Sequence, residues 1–300
     1  MEKKYYITGD LEKTLVWGIN NINYSTVSIA GGFRDRMINI IDESFGWKVT
    51  EFIEYNKIID YFNNLRSEDE FIVSLEDWIY IENPDFNFSS TRNYRNKEAI
   101  LDNPTDYKIT QRDGMNINNQ IEDLKNNIIL SWKKEVIICD DWIFSWDTLS
   151  EIIFNLKKYW INVSEVRVIL NFSRNNSIEN ILIKSMLSPD WCIDWLDERD
   201  LFYGTKNWWA SFINKGKMNG LPYISSPEIA SKKASIPEDK SEYFCKNMLV
   251  LNKDVWFELS NSLDKIIKLV DFPRLWYLEE NYDENTNIVD VLINEQKMSK

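Results

Sequence analysis

Apolar residues along this chain fall into two rhythms: short continuous runs, and longer stretches spaced by three and four. TVSIA (Thr26–Ala30) reads as a buried strand. After Gly31 and Gly32, the residues Met37, Ile40, Ile41 and Phe45 share one helical face that Gly46 can close. A strand over Lys48–Glu54, a helix over Ile58–Leu65 and a strand over Phe71–Leu75 follow. Further on, Val136–Cys139 is strand-like, and Leu149, Ile152, Ile153, Leu156 and Trp160 stripe one side of a helix behind it. EVRVILNF (Glu165–Phe172) then alternates as the next strand. Strand, turn, helix, strand is a βαβ unit, so the expected fold is α/β with a mostly parallel central sheet and right-handed crossovers.

The rhythm breaks in three places. From Glu82 to Asn119 no period holds, and a loop that long is expected to be an insertion or a ligand-closing lid; it carries Arg92, Arg95, Lys97, Lys108 and Arg112. After Phe172 a helix is expected over Ile178–Leu187, then a stretch dense in aromatics and charge, then a loop from Gly216 to Ser241. A last helix is expected over Asp254–Val270, striped by Trp256, Leu259, Leu263, Ile266 and Val270, and an apolar patch lies at Ile288–Ile293. These shifts suggest an α/β core over 1–172 and an aromatic-rich hood with a helical C-terminal part over 173–300, packed on that core.

Composition narrows the chemistry. Of 300 residues 44% are apolar, enough for a real core. No run reaches the roughly 18 to 20 apolar residues that cross a bilayer, and MEKKYYITGD lacks the apolar centre of a signal peptide, so a cytoplasmic protein with no membrane segment is expected. The chain has no histidine, which excludes Ser-His-Asp and Cys-His nucleophile systems and leaves a metal only oxygen ligands. Cys139, Cys192 and Cys245 form no CxxC pair, and Cys139 is expected to be a small buried strand residue. A net charge of -13 argues against broad binding to a phosphate backbone. Arg199 with Asp197, Glu198 and Asp200 is expected to be a solvated ion-pair cluster.

The stretch VIICDDWIFSWDTL (Val136–Leu149) carries the most specific chemistry. Carboxylates where a strand ends can accept hydrogen bonds from a ribose diol, and amides and hydroxyls that open the next helix can hold a phosphate. In that arrangement Asp140 and Asp141 serve the sugar. Ser145, Trp146, Asp147, Thr148 and Leu149 surround the phosphate, with Asp147 presenting its amide. The bland alternative is a pair of exposed acids near a helix start. A HAD-type phosphatase needs its second Asp where Trp142 stands, and a receiver domain needs its acidic pair earlier in the fold.

This stretch resembles the signature of type I phosphoribosyltransferases at Val136–Cys139, at Asp140 and Asp141, at Trp142 and Ile143, and at Ser145 and Thr148; Trp146 stands where the family has glycine. SIAGGFRDR (Ser28–Arg36) is similar to the family's pyrophosphate loop, which would comprise Ala30, Gly31, Gly32, Phe33 and Arg34. The resemblance implies a sheet of that family's type, with a hood offering Trp191, Trp195, Tyr203, Trp208 and Trp209 for stacking. It implies phosphoribosyl pyrophosphate or a related nucleotide as ligand, with Mg2+ near Asp140 and Asp141 through water. The reaction would be transfer of ribose 5-phosphate to a nitrogen acceptor, with Arg92, Arg95, Lys97 and Arg112 as lid candidates. LDERDLFYG (Leu196–Gly204) and the long insertions look more like the divergent members found in bacterial defence, which implies an antiviral effector with a regulatory protein partner or a homo-oligomer. The alternative is a catalytically inactive fold, a nucleotide-sensing or protein-binding module whose phosphate site Trp146 closes.

Overall fold

The computed structural model describes residues 2–9, 32–75, 80–96, 98–102, 107–110, 117–133, 135–143, 147–173, 177–178, 180–205, 210–214, 217–272 and 281–298. In chain order the first elements are β1 (Lys4–Thr8), α1 (Phe33–Phe45), β2 (Thr50–Ile53), α2 (Tyr55–Asn64), β3 (Glu70–Ser74), β4 (Phe86–Asn87) and β5 (Thr91–Tyr94). Next come α3 (Ala99–Asp102), β6 (Tyr107–Thr110), α4 (Ile117–Ser131), β7 (Glu135–Ile143), α5 (Asp147–Lys158) and β8 (Val163–Asn171). The remainder are β9 (Ser177–Ile178), β10 (Ile181–Leu187), β11 (Cys192–Asp197), β12 (Ser211–Asn214), β13 (Lys217–Gly220), α6 (Pro227–Lys233), α7 (Ser241–Ser262) and α8 (Ile288–Met298). Among the described residues no helix is long and apolar enough to cross a membrane.

Contacts divide the chain into two compact units interleaved in sequence. The first holds Met1–Lys3, Ile53–Thr91 and Ile109–Cys192; the second holds Lys4–Phe52, Arg92–Lys108 and Ile193–Lys300. The division expected at 172 does not match this one, because β9 and β10 complete the sheet of the first unit and residues 4–52 belong to the second.

The first unit is a six-stranded sheet in the order β4-β3-β7-β8-β10-β9. All neighbours pair in parallel except β9, which runs against β10. Central strands covered on both faces read as apolar runs, and β3 and Val136–Cys139 are buried throughout. The chain passes from β3 to β4 on one side and returns as β7 on the other, so the strand order reverses between β3 and β7.

The second unit contains the sheet β11-β1-β2 and a four-stranded sheet ordered β13-β12-β5-β6. Its core is built on α7, whose Phe244, Met248, Leu251, Val255, Trp256 and Leu259 are buried with Ile288, Val291 and Leu292 of α8. Helix α1 buries Met37 and Ile41 and stops at Gly46, whose φ of 76° is left-handed, as its pattern predicts.

Several expectations give way. Thr26–Ala30 lies outside the described residues. Ile178–Leu187 is not a helix but the β9–β10 hairpin: Ile181 and Ile183 are buried while Leu182 is exposed, a period of two. The 82–119 region carries β4, β5, α3, β6 and the start of α4 instead of one long loop, and 216–241 carries β13 and α6. Helix α7 starts at Ser241 and ends at Ser262, leaving Ile266 and Val270 exposed beyond it. Trp160 does not share the buried face of α5. It sits just past the helix with φ 63°, its N–H bonded to the Lys157 carbonyl and that of Ile161 to the Leu156 carbonyl, a Schellman closure that points the indole into solvent. A non-glycine residue in that conformation costs about 1 kcal/mol.

Candidate functional site

Strand β7 is longer than its apolar run. Its pairing with β3 ends at Ser74 opposite Cys139, where the Leu75 N–H donates to the Cys139 carbonyl at 2.8 Å. On the other flank β8 accompanies it as far as Ile143 opposite Asn171, and the Phe172 N–H donates to the Ile143 carbonyl. Asp140, Asp141 and Trp142 therefore lie past the last β3 pairing, half-buried, at the carboxyl edge of the sheet where the strand order reverses. Ligands of open α/β sheets bind at that position.

The aspartates do not end the strand, as the sequence suggested; they lie inside it, because Trp142 and Ile143 go on pairing with β8. Successive strand residues alternate faces, so Asp140 goes with Trp142 and Asp141 with Ile143. Two adjacent carboxylates aimed together at one diol do not follow from that geometry. Asp140 Oδ1 accepts the Asp141 N–H at 3.0 Å, and Asp141 Oδ1 accepts the Trp142 N–H at 2.7 Å. At the end of β8, buried Asn171 accepts from both the N–H and the hydroxyl of Ser173. Burial pushes the Cys139 thiol up to about 12, so it is a packed neutral group and no nucleophile.

The phosphate side is partly in view. Helix α5 begins at Asp147, four residues past β7, and first-turn amides are the groups by which a helix of this edge could hold an anion. Leu149 is buried, so only its amide can serve a ligand. Ser145 and Trp146 lie outside the described residues, as do the side chains of Asp147 and Thr148.

The pyrophosphate-loop expectation meets a different sheet. Ala30 and Gly31 are outside the described residues; Gly32, with φ 111°, precedes α1, and Phe33 is buried. Helix α1 and Arg34 belong to the second unit, with β1, β2 and β11, whereas the aspartates belong to the six-stranded sheet. The strand beside β7 is instead β3, and no glycine pair follows it; residues 76–79 lie outside the described ones. Of the lid candidates, Arg92 is fixed in β5 with its guanidinium 5.6 Å from the Tyr107 ring, Arg95 is exposed, and Lys97 and Arg112 are outside the described residues. Trp195 and Tyr203 of the expected hood are buried and Trp191 is partly exposed, while Trp208 and Trp209 are outside the described residues.

The second unit holds a charged cluster that the sequence reading placed in solvent. Asp194, Asp197, Glu198, Arg199 and Asp200 are all buried, and the turn that follows β11 is tied down by α7. Asn252 accepts the Tyr203 N–H and donates to the Leu201 carbonyl, and the Trp256 indole donates to the Tyr203 carbonyl. Arg199 donates to Asp197 at 2.5 Å, and Arg34, stacked 3.9 Å over the Phe52 ring, lies 3.5 Å from Glu198. A Cβ on Gly9 would fall 2.2 Å from the Glu198 side chain, so only glycine fits directly after β1. Among the described residues no group of three or more Asp, Glu or Cys is placed to hold a metal ion. Neither a family model, nor a curated protein, nor a solved structure matches this chain.

Proposed function

We propose that the carboxyl edge of the six-stranded sheet binds a phosphorylated ribose, phosphoribosyl pyrophosphate or a related nucleotide, and that the protein transfers ribose 5-phosphate to a nitrogen acceptor. The observation that carries this reading is the position of Asp140 and Asp141, half-buried past the last β3 pairing and just ahead of the α5 amino terminus. One carboxylate there serves the diol and the helix amides serve the 5-phosphate. Mg2+ fits such a site, because it takes most of its oxygens from a diphosphate and water and needs only one or two protein carboxylates. The residues of this chain would hold the sugar still, and a bound ion would supply positive charge toward the diphosphate leaving group.

The alternate faces of Asp140 and Asp141 favour a second reading, a nucleotide-sensing or protein-binding module that keeps the site without turnover. Titration calorimetry of phosphoribosyl pyrophosphate with Mg2+ separates the cases. Saturable binding is expected, weakened by about tenfold to a hundredfold in one of the single variants Asp140→Asn and Asp141→Asn and much less in the other. Absence of binding to the folded wild type rejects the ribose-phosphate site. Binding without diphosphate release, across base, amine and nucleic-acid acceptors, selects the module.

A further inference from the structure

The opposite edge of the same sheet carries a surface with no place in that chemistry. Helix α4 runs into β7 and helix α5 into β8; since these strands are parallel neighbours, both helix ends meet at the amino-terminal edge. There Trp132 and Trp160, 90% and 94% exposed, each occupy a left-handed position after a helix, with φ of 59° and 63°. Glycine would satisfy that backbone without strain, and neither indole is repaid by burial. Ile129, Leu130 and Phe154 are exposed on the same two helices, and Lys125 Nζ, in the body of α4, lies 5.6 Å from the centre of the Tyr159 ring just past α5.

The residues around the two indoles favour one occupant. Lys157 and Lys158 stand in 154–161 with no acid, and Lys125 and Lys133 lie on either side of the α4 end, while the acids Glu122 and Asp123 precede Lys125 and Glu68 and Asp69 precede β3, in a chain of net charge -13. Lys133 is held by Asp85 at 2.6 Å, and Lys158 lies 4.2 Å from the centre of the Phe154 ring. Lysine is depleted at protein–protein interfaces, and bases have no use for exposed Ile and Leu side chains. Trp and Tyr flanked by lysine stems, with aliphatic residues between, suit the headgroup layer of an anionic bilayer. We propose that this edge docks the protein on an anionic lipid surface, with Trp132 and Trp160 inserted among the headgroups and Lys125, Lys157 and Lys158 facing the phosphates. Such contact is peripheral and needs no crossing helix.

Flotation of the full chain with phosphatidylcholine vesicles, and with vesicles of equal parts phosphatidylcholine and phosphatidylserine, tests this. Binding is expected on the mixed vesicles only and should fall with added salt. It should drop by about tenfold or more in Lys157→Glu/Lys158→Glu. Trp132→Gly/Trp160→Gly should lose binding while melting at or above the wild-type temperature, because glycine suits both positions; loss of binding therefore cannot be misfolding. Three results would overturn the proposal: equal binding to neutral vesicles, binding unchanged in the tryptophan variant, or no vesicle binding. In the last case, self-association or capture of a single-stranded oligonucleotide that the tryptophan variant abolishes would reassign the face to a second copy or to nucleic acid.

Discussion

Replacing Arg167 with methionine is expected to lower the unfolding free energy by about 3–5 kcal/mol, measured by denaturant titration at neutral pH. Arg167 is buried on β8 and joins two strands: its guanidinium donates to Glu70 of β3 at 2.5 and 3.0 Å and to Glu165 at 2.5 Å. Lys184 of β10 completes the chain of charges, 2.7 Å from Glu165. Taking away the central cation leaves two carboxylates in a packed sheet, Glu165 with one partly exposed lysine beside it and Glu70 without its guanidinium. Burial pushes the Glu70 carboxyl up, but the hydrogen bonds from Arg167 and the Ser67 amide outweigh it and hold the carboxyl below its ordinary value. In the wild type, that depressed value means stability present above the unfolded-state pKa and lost as pH falls through the folded one. Without Arg167 burial, the largest influence on Glu70, prevails and the sign reverses, so the variant should recover part of its deficit at about pH 4, where Glu70 can take up a proton. A loss under about 1 kcal/mol with no pH dependence would mean that these charges are solvated and do not hold the sheet.

The parts of this fold that the sequence displayed were those whose burial repeats locally. Helix α1 shows its stripe and its stop at Gly46, and β3, α5 and β8 show theirs, since one covered face or one covered strand leaves a periodic trace. Strand β10 was hidden because ILIKSML also fits a helical turn, and its alternation matters only beside β8. The end of β7 was hidden for a related reason. Two charges after four apolar residues look like a strand end, yet β8 keeps pairing for four residues more. Asp194, Asp197, Glu198, Arg199 and Asp200 are buried, and the turn that follows is held by α7, whose Asn252 is 49 residues from the Tyr203 amide it caps, so charge density alone misled. The exposure of Trp160 reverses a periodic expectation because the helix ends at Lys158, two residues before the apolar spacing does.

Asp194→Asn is expected to remove a pH-dependent loss of stability from the second unit. Asp194 lies fully buried on β11; burial pushes its carboxyl up to about 7, against hydrogen bonds from Ser235 and from the Trp195 N–H at 2.8 Å. The folded state thus keeps a proton that the unfolded chain releases near its ordinary value of 3.8. Between those two values the native form binds more protons than the unfolded form, so this group's contribution falls as pH rises and levels off once both states are ionised. A span of about three pKa units corresponds to about 4 kcal/mol lost between roughly pH 4 and pH 7. Asparagine keeps the oxygen that receives the Trp195 N–H and stays neutral throughout. The variant should therefore match or fall slightly below the wild type at about pH 4 and exceed it at about pH 8, the two stability curves crossing in between. Parallel curves across that range would show that Asp194 is ionised in the native state at acidic pH, with its charge compensated inside the cluster, and that the turn after β11 is held by ion pairing instead of by a protonated carboxyl.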